Sequence, residues 1–460
     1  MRRYYFDHAA ATPLDPVVEK AMKPYWSAMA GNPGSLHWFG QQASAAVFVA
    51  RETIAEALGC RYQEIVFTGS ATEANNLALR GAVKSVLNDR NVLGVVNDKI
   101  TDRTIRTTGT NRTMISAKPK IIVSAIEHES ILDTCKDLEK EGVEVVYLPV
   151  SKKGIVDPAA VAKALDERTI LVSIMYANNE IGTIQPIREI SKIIADFRDR
   201  SHVENVRNGV VDKNKRASAN GKTVRTIGTA RTSYPLFHTD AVQAFNYLSC
   251  NVEELGVDLL TLSAQKIYGP KGVGLLYVRD VQVVVDDKTT GTARTVPLLE
   301  PLITGGGQEH GMRSGTENVP GIVGFAAAVK HTEVLREKEA RRLRTLQTYF
   351  LKELHKFAPA VTLNGDWDKR IPNNLNIDIP PPADGKGSAQ ELVIALDLAG
   401  FAVSPGSACA ARTCAPSHVL RAIGRSPVRA MSGIRITFGR QTDKKALDSL
   451  LRTLRNLLKN

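Results

Sequence analysis

Residues 258–274 read DLLTLSAQKIYGPKGVG, and Lys266 within that run is the side chain with the clearest chemical use. An apolar, strand-like stretch from Leu259 to Leu262 ends in small and polar residues, and a turn rich in glycine and proline follows the lysine. An amine held at the end of a buried strand loses its proton more readily than a solvated one, because burial disfavours the charged form. The neutral amine is the species that forms a Schiff base with a carbonyl. Taken alone, the segment reads equally well as a lysine solvated at a strand end.

Other residues could share a site with it. Gly69-Ser70-Ala71-Thr72 follows a strand-like run and opens a helix. Backbone amides and a hydroxyl at a helix N-terminus make a cup for a phosphate, although an ordinary helix cap reads the same. Ser263, just before Lys266, adds a hydroxyl. Asp240, in FHTDAVQAF, is a carboxylate at a strand end. Beside a pyridine nitrogen it keeps the ring protonated and makes it an electron sink; in isolation it reads as well as a helix cap. Gln243, one turn on, can hydrogen-bond a ring hydroxyl, and His128, in AIEHES, can stack on a ring and move protons near neutral pH. A lone histidine is also a common structural residue.

Cys409 lies in SPGSACAARTCAPSHVL, where glycine and small residues suit an exposed loop that a substrate can reach. The alternative is an inert small residue, and Cys414 gets no assigned part. Arg435, in SGIRITFGR, offers the natural bidentate partner for a substrate carboxylate. A phosphate cup, a carboxylate for a ring nitrogen, a histidine and an amine together meet the needs of pyridoxal 5'-phosphate (PLP).

These residues need a frame. Helices are expected at 41–58, 71–86, 131–141, 157–165 and 187–197, and strands at 64–68, 120–125, 143–148, 169–175, 236–238, 259–263 and 275–278. Asp157 and Pro158 mark one helix start and Gly59 one helix stop. Such alternation implies an α/β domain with a mostly parallel sheet, and ligands bind such sheets at the carboxyl ends of the strands. Thr68, Glu127-His128, Asn178-Asn179, His238–Asp240 and Lys266 all fall at such ends. A long helix over 321–357 leads to a second, α+β unit with elements at 374–379, 389–398 and 433–438 and the loop 404–416.

The chain has 460 residues, 43% of them hydrophobic, enough for two or three domains. No apolar run is long enough for a membrane span, and the polar N-terminus is not that of a secretory leader. Five scattered cysteines point to a reducing cytoplasm rather than a disulfide framework, and their spacing does not suggest structural zinc. The net charge of +12 invites a nucleic-acid reading, but most of it sits in two stretches, 88–120 and 198–233. Those stretches and 280–296 share a pattern: RTTGTNRT from Arg106, RTIGTART from Arg225 and KTTGTART from Lys288. They read as copies of one element inserted at three tolerant loops, forming surface loops or short hairpins. A basic surface for RNA or for an acidic partner is the alternative.

In order along the chain stand FDHAAATPLDP, NPGSLHWFG, FTGSATEANN, EHES, NNEIGTIQP, HTDAVQA, SAQKIYGPKGVG, GGGQEHGMRSGTENV, SPGSACAARTCAPSHVL and SGIRITFGRQT. As a set these motifs resemble the cysteine desulfurases, over nearly the whole length outside the three repeated segments. The resemblance implies an α/β chain of PLP-dependent transferase fold type I. A large domain over 15–330, with a mostly parallel seven-stranded sheet, would join a smaller α+β domain from 1–14 and 331–460. The repeated segments would interrupt the large domain near 88–118, 199–233 and 280–296. Lys266 would be the Schiff-base lysine, His128 would stack on the ring, and Asp240 and Gln243 would pair with its nitrogen and hydroxyl. Ala71, Thr72 and Ser263 would hold the phosphate, and Thr316 would reach the phosphate of a neighbouring subunit in a homodimer. Asn179 and Arg435 would bind the substrate carboxylate. Cys409 would take sulfur from L-cysteine, leaving L-alanine and an enzyme persulfide.

The stretch after Cys409 resembles the long-loop subgroup, which supplies sulfur-acceptor proteins for iron–sulfur clusters or tRNA thiolation. Neither a membrane nor direct nucleic-acid binding is expected. Gln265 stands where the family usually has a histidine in the phosphate site, and the cup reads Gly-Ser where Ser-Gly is more familiar. The sequence ends at LLKN, short of the tail with which some members dock scaffolds. A selenocysteine lyase or another PLP enzyme of this fold is the nearest alternative. A basic RNA-binding or scaffold protein without catalysis is the alternative from another class.

Overall fold

The structure is a computed structural model that describes residues 3–88, 118–207, 234–280, 282–287, 292–379, 389–406 and 416–458. The chain opens with strand β1 (Tyr4–Tyr5), helices α1 (Pro16–Met22) and α2 (Trp38–Leu58), strand β2 (Ile65–Thr68) and helix α3 (Ala71–Asn88). Strands and helices then alternate: β3 (Lys120–Ser124), α4 (Glu129–Lys140), β4 (Glu144–Leu148), α5 (Pro158–Ala164), β5 (Thr169–Ser173), α6 (Ile187–Arg207), β6 (Leu236–Asp240), α7 (Val252–Leu255), β7 (Leu259–Ser263) and β8 (Gly274–Val278). After the hairpin β9 (Gln282–Asp287) and β10 (Thr292–Pro297) comes the 39-residue helix α8 (Val319–Phe357). The rest is β11 (Thr362–Leu363), β12 (Asn374–Asp378), α9 (Ala389–Leu398), β13 (Phe401–Ala402), β14 (Ser404–Pro405), α10 (His418–Ala422), α11 (Pro427–Ala430), β15 (Gly433–Thr437) and α12 (Lys444–Leu457).

Seven strands form one sheet in the order β2-β8-β7-β6-β5-β3-β4. Only β8 runs against its neighbours, so the other six strands end on the same edge. Strands β3, β5, β6 and β7 are buried along their whole length, as expected of a parallel sheet covered on both faces. Alternate residues feed opposite layers. Ile122, Val172 and Leu260 pack with α2, α6 and the first half of α8, while Ile121, Val123 and Leu171 pack with α3 and α4.

Local chemistry sets the helix ends. Asp157 caps α5 by accepting from the Ala159 amide at 2.9 Å, with Pro158 in the first turn, as the sequence predicts. Gly59 stops α2 in the left-handed region at φ 68°.

A second sheet, β11-β12-β15-β14, is antiparallel throughout. The second half of α8 and the amphipathic α12 cover it, with Phe350, Leu354, Ile377, Ile436, Leu447 and Leu450 at the centre. The N-terminal strand β1 pairs in parallel with β13, which draws the start of the chain to this sheet.

Two features depart from the sequence reading. Helices α1 and α12 were not anticipated, although Asp15 and Asp443 cap them and α12 buries Leu447, Leu450, Leu451 and Leu454 on one face. Helix α6 continues to Arg207, so the second repeated segment begins as helix rather than as a loop at 199. Within the third segment the backbone forms the antiparallel hairpin β9–β10, one of the two forms expected of the repeated segments, and among the described residues it pairs only with itself. Residues 89–117 and 208–233, the bulk of the other two copies, lie outside the described residues.

Candidate active site

One rung of the large sheet gathers the phosphate end of the site. Gly274 lies opposite Ser263, the last residue of β7, and opposite Thr68, the last residue of β2. A side chain at 274 would put its Cβ 2.6 Å from the Ser70 carbonyl carbon and 2.8 Å from the Ala71 nitrogen. The backbone of β8 therefore packs directly behind the turn that opens α3. In that turn the Gly69 amide donates to Glu73 Oε2 at 2.7 Å and the Glu73 amide donates to Ser70 Oγ at 3.2 Å. Arg313 Nε donates to the other Glu73 oxygen at 2.9 Å. The amides of Ala71 and Thr72 remain as first-turn donors with no acceptor in their own helix.

The ring end is a hydrogen-bonded chain. Asp240 ends β6 and is 7% exposed. Its Oδ1 accepts from the Val242 amide at 3.0 Å and its Oδ2 from Asn75 Nδ2 at 2.9 Å. Asn75 also donates to Ser130 Oγ at 2.9 Å, and that hydroxyl lies 2.9 Å from His128 Nδ1. The Ser130 amide donates to the same nitrogen, so His128 caps α4 and its ring is fixed at Nδ1. Nε2 faces outward, 3.7 Å from Glu129 Oε2.

Lys266 follows β7 on a single 3₁₀ turn, half-buried. Its ammonium donates to the Ala9 carbonyl at 2.9 Å and to the Ala10 carbonyl. Asn246 holds the Lys266 carbonyl at 2.6 Å. Gln243 donates to the Ala9 carbonyl at 3.0 Å, so here its amide serves the backbone rather than standing free for a ring hydroxyl. Thr12 Oγ1 donates to the Gln265 carbonyl at 2.9 Å and accepts from the Tyr268 amide at 2.7 Å. The segment 9–12 is thus a floor under the lysine turn.

Arg435 stands on β15 and is 2% exposed. Nη2 donates to Asp7 Oδ1 at 2.9 Å, and Nη1 donates to the Asn179 carbonyl at 3.0 Å. Nε is buried with no hydrogen-bond partner. Beside Asn179, the fully buried Glu180 has its carboxyl pushed up by burial, opposed by His418, Ser417 and Arg435. Glu127, next to His128, is also fully buried. Burial pushes its carboxyl up to about 8, against hydrogen bonds from Ser124 and the Met175 amide and with a further rise from Asp240.

The structure therefore gathers Ala71, Thr72, Ser263, Asp240, His128, Gln243, Gln265 and Lys266 around the carboxyl edge of the sheet, with Asn179 and Arg435 on the second sheet's side. Thr316 is exposed. Cys409 and Cys414 lie within 407–415, outside the described residues. His238, also at a strand end, is instead a core residue clamped between Ser173 Oγ and Thr261 Oγ1, and burial lowers it to about 3.

Asn75, Ser130 and Asp7 were missed as individual residues; each lies inside a motif, but its partner is remote in sequence. The donors fit PLP: two first-turn amides and the Ser263 hydroxyl suit a phosphate, the anchored Asp240 suits a ring nitrogen, and the Asn75 Oδ1 is buried without a partner. Among the described residues no cluster of metal-ligating side chains is present.

The pattern of the aminotransferase class-V family matches residues 4–100, 104–203 and 218–450, and its two breaks fall inside the first two repeated segments. The chain is 39% identical over 458 residues to the cysteine desulfurase IscS of Dictyoglomus turgidum, covering 99% of this chain and 95% of that protein. It is 37% identical over 451 residues to cysteine desulfurase IscS 1 of Archaeoglobus fulgidus, covering 98% and 95%. Among solved structures, a NifS-like protein superposes with a TM-score of 0.76 at 30% identity, with 99% of each chain covered. A structure of SspA in complex with cysteine superposes with a TM-score of 0.69 at 31% identity, covering 94% and 98%. The PLP-ready edge and these full-length likenesses agree: the chain belongs to the aminotransferase class-V family of PLP-dependent enzymes, alongside the cysteine desulfurases.

Proposed function

We propose that this protein is a cysteine desulfurase that moves sulfur from L-cysteine to Cys409 and leaves L-alanine. The observation that carries the reading is one edge of one sheet. There an amine, a helix-terminal anion cup and an anchored carboxylate meet, and a buried guanidinium stands beside them. Bound there, PLP supplies an electron sink for the bonding electrons released at the substrate.

The chain's own residues do the rest. The Ala71 and Thr72 amides and the hydroxyls of Thr72 and Ser263 hold the phosphate, with Gln265 beside them; Thr316 serves the neighbouring subunit's phosphate. Asp240, fixed by Asn75 and Val242, holds a proton at the ring nitrogen. Gln243 would hold the ring hydroxyl once its amide gave up the Ala9 carbonyl. His128, oriented through Nδ1, stacks on the ring and moves protons at Nε2. Lys266, which donates to the carbonyls of Ala9 and Ala10, would hold the cofactor through its amine and would move protons at the substrate. Arg435 and Asn179 take the substrate carboxylate, and Asp7 yields its place on the guanidinium.

The Cys409 thiolate attacks the substrate sulfur. An S–S bond forms, the substrate C–S bond breaks, and the carbon takes a proton, so persulfide and alanine balance cysteine and thiol with no outside oxidant. An acceptor thiol, on an iron–sulfur scaffold or a carrier for tRNA thiolation, then takes the sulfur.

Trp38 and Phe39, about half exposed, and Leu36, 93% exposed, support burial against a second copy in a homodimer. Cys60, Cys135 and Cys250 are free thiols, which suits the reducing cytoplasm; among the described residues no helix is long and apolar enough to cross a membrane. We read the chain as the units 15–330 and 1–14 with 331–460 because α8 puts its first half in one core and its second half in another.

The test is incubation with L-cysteine and dithiothreitol, with alanine and sulfide measured on the wild type and on Cys409→Ala. The wild type should release both. Cys409→Ala should keep the visible absorbance of bound PLP and lose sulfide release. Undiminished desulfuration by Cys409→Ala would overturn the persulfide route.

A further inference from the structure

The two ends of the segment that carries Cys409 meet at one buried carboxylate. On the near side, Gly406 closes β14 and donates its amide to the Gly433 carbonyl at 3.1 Å. A Cβ at 406 would lie 3.4 Å from Glu180 Oε2 and 3.7 Å from Ser417 Cβ. On the far side, Ser417 accepts the Leu420 amide at 3.1 Å as the cap of α10. Its single hydroxyl proton is therefore free for Glu180 Oε2, 2.5 Å away. His418 adds a second tie: its Nε2 donates to the Glu127 carbonyl at 2.9 Å, one residue before His128. The described flanks, Gly406 and Ser417, thus stand side by side at Glu180.

Glu180 is itself rigidly placed. Its amide donates to Asn178 Oδ1 at 2.9 Å and its carbonyl accepts from Asn376 Nδ2 at 3.3 Å. The preceding residue, Asn179, presents the carbonyl that holds Arg435. One short stretch, Asn178-Asn179-Glu180, therefore grips the guanidinium with one residue and the neck of the Cys409 segment with the next.

We propose that Glu180, through Ser417, is a positioning residue that fixes the neck of the Cys409 segment relative to the Arg435 arm, so that thiol and substrate sulfur meet. The inference rests on the cysteine desulfurase reading. It assigns Glu180 no contact with substrate or cofactor. A displaced attacking group costs rate rather than substrate affinity, because the carboxylate arm is untouched.

The test compares Glu180→Ala, Glu180→Gln, Ser417→Ala and Ser417→Thr in the PLP-loaded full chain. Four readouts are taken: kcat and KM for alanine formation, the change in PLP absorbance when L-cysteine binds, and the rate at which iodoacetamide labels Cys409, followed by peptide mass. Glu180→Ala and Ser417→Ala should lower kcat by about tenfold to a hundredfold, with KM and the absorbance change near wild type. Cys409 labelling should shift in both. Glu180→Gln keeps an acceptor for Ser417, and Ser417→Thr keeps the hydroxyl, so both should return most of the lost rate. Should Glu180→Ala fail to fold, the Ser417 pair still decides.

Wild-type kcat in Ser417→Ala, or a loss seen in KM and in the absorbance change instead of kcat, would overturn the inference. A wild type that makes no alanine from L-cysteine would overturn the functional reading beneath it, which separates the two failures.

Discussion

Arg435 is a buried cation whose three nitrogens have three different fates. One is paired with Asp7, one is spent on the Asn179 carbonyl, and one has no partner. A guanidinium in that state is an incomplete site, and in the proposed function a substrate carboxylate would complete it with two parallel hydrogen bonds by taking the place of Asp7 beside the free Nε. Lysine keeps the charge and loses the fork. Arg435→Lys should therefore raise KM for L-cysteine by about tenfold or more, equivalent to ~1.4 kcal/mol of binding per decade. The absorbance of bound PLP should stay unchanged, because Arg435 does not touch the cofactor end. An unaltered KM would remove Arg435 from the carboxylate site. Lys266, Asp240 and Arg435 were legible as candidates because their side chains are chemically distinctive at strand positions, although Lys266 and Asp240 each read equally well as structural residues when taken alone. Asn75 and Asp7 were not, because each acquires its meaning from a partner far along the chain: Asp240 for Asn75, and Arg435 for Asp7. A single sequence contains no signal for such pairings.

Strands β5 and β7 were legible because a strand covered on both faces is a short, largely apolar run between turn signals, whereas β6, LFHTD, offers only Leu236 and Phe237 before its polar end. Helix α12 was overlooked despite its regular leucine spacing. The end of α6 was misplaced because the boundary at 199 was read from a change in composition, while the helical backbone continues to Arg207. The antiparallel placement of β8 also could not be read from its residues, and it matters most for function. It makes Gly274 the rung between Ser263 and Thr68 and brings its backbone against Ser70 and Ala71. A methyl group there meets backbone atoms, which cannot rotate away as a side chain can, and overpacking of this kind costs about 1–3 kcal/mol. Gly274→Ala should thus push the start of α3 off its position and weaken PLP binding by about tenfold, since every 1.4 kcal/mol is a decade. Titrating the apo protein with PLP by visible absorbance measures it, with far-ultraviolet circular dichroism confirming the fold. Wild-type PLP affinity in a folded Gly274→Ala would show that the cup does not depend on this rung.

At the scale of the whole molecule, the buried titratable groups set how stability responds to pH. Glu127 has a folded-state value of about 8 against an ordinary 4.5, chiefly because burial disfavours its charge. Its contribution is complete while the carboxyl is neutral in both states, and it is lost as pH rises from about 4.5 to about 8, where the unfolded chain ionises and the folded one resists. His8 and His238 act in the opposite direction and in a lower window. Burial lowers them to about 4 and about 3 from 6.5, so their stability is lost only as pH falls below 6.5. Between pH 6.5 and 8 both histidines are neutral in the folded protein and at most half protonated in the unfolded chain, so of these three groups Glu127 moves most. That interval corresponds to roughly 2 kcal/mol for one group. Glu180, raised in the same direction, is common to any two proteins that differ only at position 127 and cancels between them. Glu127→Gln keeps an acceptor for Ser124 and the Met175 amide and carries no charge to bury. The thermal midpoint of the PLP-loaded wild type should therefore fall relative to that of Glu127→Gln as the pH rises from 6.5 to 8, so the two curves separate. Parallel midpoints across that interval would mean that Glu127 is already ionised in the folded protein, and that the carboxyl behind His128 is better solvated than its burial indicates.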